Sequence, residues 1–223
     1  SRTMTNYLVY IFLAVMIIAI IISGFFWFNR IIRGPDQEAM GPPKSLIPAG
    51  REHTISLETA DKKTFLGSWK NLFNSQLLPR QFLYVKVFTK NSSEFLNAHD
   101  LFHLMGTVLP PLLENSIAPR STFGILDTTR GNEPIFVVEI NSYAPAFAGL
   151  LEWEKNLPSD LLDLLPPGPS YERGENIFLD AVVANNDARF LKNKLGEPIL
   201  GYSIFNQRFL ILAQSPQAME IVI

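Results

Sequence analysis

The chain has no cysteine, and only three of its 223 residues are histidine. The first absence removes disulfide scaffolds, thiolate catalysis and every zinc site built on cysteine, and the second leaves few nitrogen ligands for any metal. No Gly-x-Ser-x-Gly elbow, phosphate-cradling glycine loop or dinucleotide fingerprint occurs in it. Charge is sparse too, at 18% of residues against about a quarter in an average soluble domain. From Arg51 onward there are 15 Lys+Arg and 19 Asp+Glu, a net charge of −4, with the basic residues scattered among acids. Nucleic acid is therefore not an expected partner, because a phosphate-binding surface needs clustered basic groups. No polybasic run favours anionic lipid headgroups, no heptad stretch a coiled coil, and no fixed-period repeat a solenoid.

What is present begins with Tyr7 to Phe28, 22 consecutive positions without a charged side chain. As a helix it would rise about 1.5 Å per residue, enough for a hydrocarbon core of roughly 30 Å. It is apolar all round rather than striped, as lipid on every side requires. Tyr7 and Tyr10 mark one end and Phe25, Phe26, Trp27 and Phe28 the other, with Arg30 and Arg33 just beyond, so rings and guanidinium groups fall where two membrane interfaces would lie. The Phe-Phe-Trp-Phe-Asn-Arg exit is a poor signal-peptidase site, so the segment reads as a retained anchor in the lipid bilayer. Counted alone, Arg30 and Arg33 against Arg2 would leave the following domain in the cytoplasm. That count rests on three residues, and a cysteine-free domain is compatible with an oxidising exterior; the expectation is a single-pass membrane protein with its C-terminal domain extracytoplasmic. Ala14, Ala19, Ser23 and Gly24 are small enough for close helix approach within the span.

Residues 34–50 contain four prolines and three glycines, which neither a helix nor a central strand tolerates. The organisation is therefore anchor at 1–33, proline-rich tether at 34–50 and folded domain at 51–223. Within the domain, Asp61 opens a helix with Phe65, Leu66, Trp69, Leu72 and Phe73 on one face, and Phe82–Thr89 has strand composition. Asn91 and Glu94 have capping-box spacing for a second helix ending near Gly106, and Pro110-Pro111 starts a short turn. Thr122–Leu126 and Pro134–Ile140 flank a hairpin turn, and a third helix spans about residues 143–156, stopped by Leu157-Pro158. Late strands are expected at Ile177–Val183, Ile199–Ile204 and Arg208–Ala213, then a helix from Ser215-Pro216 with Glu220 in its first turn. The fold class is α+β: a mixed or antiparallel sheet with helices mainly on one face, and an early strand–helix–strand echo compatible with two ferredoxin-like halves.

Three groups bear on chemistry. His99 and His103 stand four apart on a helix, a spacing that lets two imidazoles reach one zinc ion. The acid beside them is Asp100 rather than glutamate, and His53 is the only other histidine, so a structural role is the expectation and an anchored metal-dependent hydrolase the alternative. Glu154 falls on the face shared by Tyr143, Ala146, Phe147, Leu150, Trp153 and Leu157, where a carboxylate needs a partner; a structural pair with Arg80 or Arg120 is expected. Asp160, Asp163, Glu172 and Glu175 supply loop acids of the kind paired-carboxylate catalysis uses, but read as solvated loops. No catalytic residue, metal ligand, cofactor or small-molecule substrate is assigned.

The stretch FGILDTTRGNEPIFVVEINSYAPAFAGLLEWEKNLPSDLLDLL and the closing YSIFNQRFLILAQSPQAMEIVI resemble a group of single-pass envelope proteins of small-genome bacteria. The shared elements are a strand pair, Ser142-Tyr143 leading into Ala146–Glu154, and a final strand followed by Ser-Pro and a helix. The resemblance implies a bacterial, membrane-anchored, extracytoplasmic protein and transfers no activity. Anchor, tether and domain together point to a non-enzymatic structural or assembly protein of the cell envelope, contacting copies of itself or other envelope proteins. A subunit of a pilus-like or secretion machine is the nearest alternative.

Overall fold

The computed structural model describes residues 42–166 and 177–223. The anchor and its interface residues Tyr7, Tyr10, Phe25, Phe26, Trp27, Phe28, Arg30 and Arg33 lie outside these, as do the tether up to Gly41 and the loop containing Glu172 and Glu175. Among the described residues no helix is long and apolar enough to cross a membrane.

The domain is a mixed α+β fold on one mostly antiparallel sheet. Its strands are β1 (Arg51–Leu57), β2 (Phe82–Thr89), β3 (Glu94–Phe95), β4 (Ile117–Thr128), β5 (Gly131–Ile140), β6 (Phe178–Val183), β7 (Asn186–Lys192), β8 (Pro198–Phe205) and β9 (Phe209–Ala213). Its helices are α1 (Lys62–Leu72), α2 (Ala98–Met105), α3 (Pro111–Glu114), α4 (Tyr143–Trp153), α5 (Leu157–Leu161) and α6 (Pro216–Val222). The sheet order is β1-β2-β4-β5-β9-β8-β7-β6, with β3 beside β2. β1 and β2, joined through α1, run parallel, while the other described pairings are antiparallel. β6 to β9 form a meander with no helix between them, so the strand–helix–strand echo does not extend into a second ferredoxin-like half.

Local chemistry explains most boundaries. Asp61 caps α1 by accepting from the Thr64 amide at 2.7 Å, and Gly106 closes α2 in the left-handed region at φ 74°. The capping box of α2 is Asn97 with Asp100, not Asn91 with Glu94, because Glu94 and Phe95 are drawn into the sheet opposite Phe88 and Thr89. α4 stops at Trp153; Pro158, expected only as a breaker, sits instead in the first turn of α5, where its missing N–H costs nothing. Glu220 falls in the fifth position of α6 and not in its first turn. β7 is a strand the sequence reading did not anticipate. It joins β6 through Ala184 and Asn185, both at positive φ as a tight hairpin turn requires.

Alternation along the strands divides the core. Leu83, Val85 and Val87 face a cluster with Phe65 and Trp69 of α1, Phe102 of α2, Leu113 of α3, Trp153 of α4 and Leu157 of α5. Phe82 and Tyr84 face the other way, towards Ala218 and Met219 of α6 and the packed side chains of Leu46 and Ile47. Five helices thus cover one face and one helix the other. The Leu46 amide also donates to Thr122 Oγ1 at 2.6 Å, fixing residues 45–47 against the sheet.

Candidate interaction surface

Among the described candidates, His99, Asp100, Asp160 and Asp163 carry structural contacts. His99 Nε2 lies 3.2 Å from the Ile117 carbonyl oxygen, which places a proton on that nitrogen, while His103 is exposed and His53 lies on the exposed part of β1. Asp100, the adjacent acid, accepts from the Asn97 amide at 3.1 Å as half of the capping box. Among the described residues no group of three or more His, Cys, Asp or Glu is arranged to hold a metal ion. Asp160 accepts from the Trp153 indole N–H at 2.7 Å, tying α4 to α5, and Asp163 pairs with Lys62 at 3.0 Å, tying the turn after α5 to α1. Burial pushes the Asp160 carboxyl above its usual range, an effect the Trp153 N–H and the Lys62 charge only partly offset.

Glu154 is paired, but with neither expected arginine. Arg80 is held by its amide near Asp127, and Arg120 pairs with Glu139. The partner is Arg189 on β7, whose Nε donates to Glu154 Oε1 at 2.6 Å; its Nη2 donates to the Phe178 carbonyl at 3.0 Å, and its Nη1 to Asp180. The Tyr202 hydroxyl donates to the same Glu154 oxygen at 2.6 Å. Four elements meet here: the carboxylate just past α4, the arginine of β7, the phenol of β8 and the acid of β6. Hydrogen bonding to Glu154 holds Arg189 charged, and burial together with the Glu154 carboxylate pushes the Tyr202 phenol up. Burial similarly pushes Tyr84 up to about 12.

These two phenols give a measurable pH dependence. A raised phenol pKa means the fold favours the protonated form, so the contribution is complete below the ordinary tyrosine value of about 10 and is lost as pH rises through the folded value. Alkaline titration followed by phenolate absorbance should show Tyr84 ionising near 12 and Tyr202 only with unfolding. Single Tyr→Phe variants assign each step, and ionisation of Tyr202 near 10 in the folded protein would contradict the Glu154 contact.

Among the described residues a concavity of about 30 Å³ lies between Phe123, Phe136, Leu161, Leu164, Leu200 and Leu212, with Gln214 on its wall, whose Oε1 is buried without a hydrogen-bond partner among those residues. The outward side of α4 is more informative. Its core face is Ala146, Gly149, Leu150 and Trp153, and a Cβ on Gly149 would stand 2.5 Å from the Leu113 amide nitrogen; α3 can therefore lie directly on the helix. Tyr143 and Phe147, which the periodicity assigned to the core, point outward with their rings stacked at 5.9 Å. Leu151 continues the stripe at 40% exposure, and Leu112 of α3 is half exposed. From Tyr143 to Leu151 the helix carries no charge.

No protein-family model, curated protein or solved structure matches the chain. The reading of this surface therefore rests on its own chemistry. Three large apolar side chains one turn apart along a helix are an ordered patch, unlike the isolated apolar residues any surface carries.

Proposed function

We propose that the chain is a non-enzymatic, membrane-anchored structural or assembly protein of the bacterial cell envelope, working through protein contacts that include copies of itself. The observation that carries this reading is the outward face of α4 from Tyr143 to Leu151, which carries no charge. Solvent-facing helix positions are normally charged or polar, and here Tyr143, Phe147 and Leu151 occupy them while polar groups such as Glu154 and Asp160 are spent on internal bonds. The 22-residue apolar run at residues 7–28 supports anchoring in a membrane, which the proposal takes to be the inner membrane with the domain outside the cytoplasm.

Full-length chain produced in two differently tagged forms in one cell tests both halves. It should sediment with membranes after an alkaline wash, be digested by protease added to the extracytoplasmic side, and bring down its other-tagged copy after mild detergent extraction. A soluble chain, or one that never retrieves its copy, would overturn the proposal.

A further inference from the structure

We draw no further inference here: the strongest candidate, the exposed stripe of Tyr143, Phe147 and Leu151 along α4, belongs to the surface already described, and nothing in the structure shows what covers it.

Discussion

Trp69→Ala should lower the stability of the domain by about 4 kcal/mol, within the range for deleting a fully buried aromatic side chain. Trp69 is completely buried, stacks on Phe123 at 4.2 Å, meets Phe73 edge-on at 5.3 Å and donates its indole N–H to the Leu164 carbonyl at 2.9 Å. The substitution removes the packing, leaves a cavity between α1 and the sheet, and strands the Leu164 carbonyl in the turn after α5. Since domains are stable by only about 5–15 kcal/mol, a loss of this size takes away a large share of the margin. Chemical denaturation with the midpoint compared at unchanged slope measures it. Trp69→Phe keeps most of the ring contacts and should cost clearly less, which separates packing from the lost hydrogen bond.

Glu154→Leu should cost about 2–3 kcal/mol, less than the 3–5 expected when one partner of a fully buried ion pair is removed. The discount reflects geometry: the side chains of Glu154 and Arg189 are 15% and 25% exposed, so water partly resolvates the orphaned guanidinium. Arg189 keeps Asp180, but Tyr202 loses its acceptor. Replacing Glu154 and Arg189 together by leucine should cost less than the sum of the single changes, because no uncompensated charge remains. The Tyr202 phenol should also titrate at lower pH in Glu154→Leu than in the parent chain, since one cause of its upward shift is gone. A strictly additive double variant would mean that the pair is not energetically coupled.

Much of the fold is legible in the chain because local signals and tertiary packing agree. Asp61, Gly106, Pro110-Pro111 and Ser215-Pro216 mark helix ends by the orphan groups they satisfy or lack, and the β4–β5 and β8–β9 hairpins follow from turn residues between alternating apolar runs. β7 is hard to read because Asp187, Arg189 and Lys192 give Asn186–Lys192 the composition of a loop. Its buried Ala188 and Phe190 do alternate, and the preceding Ala184-Asn185 turn was the signal available. Glu154 could be recognised as needing a partner, but Arg189 is 35 residues away on that overlooked strand. In α4, periodicity placed Tyr143 and Phe147 on the core side because the helix is apolar on two faces. Gly149, small enough to meet Leu113, identifies the inward one.

That second apolar face carries the functional reading, and the mass of the full-length chain in mild detergent tests it most directly. Native mass measurement across a dilution series should find particles at twice the 25.1 kDa chain mass, or a higher multiple, dissociating reversibly as concentration falls. Single 25.1 kDa chains at every concentration, in detergents that leave the domain folded, would contradict it.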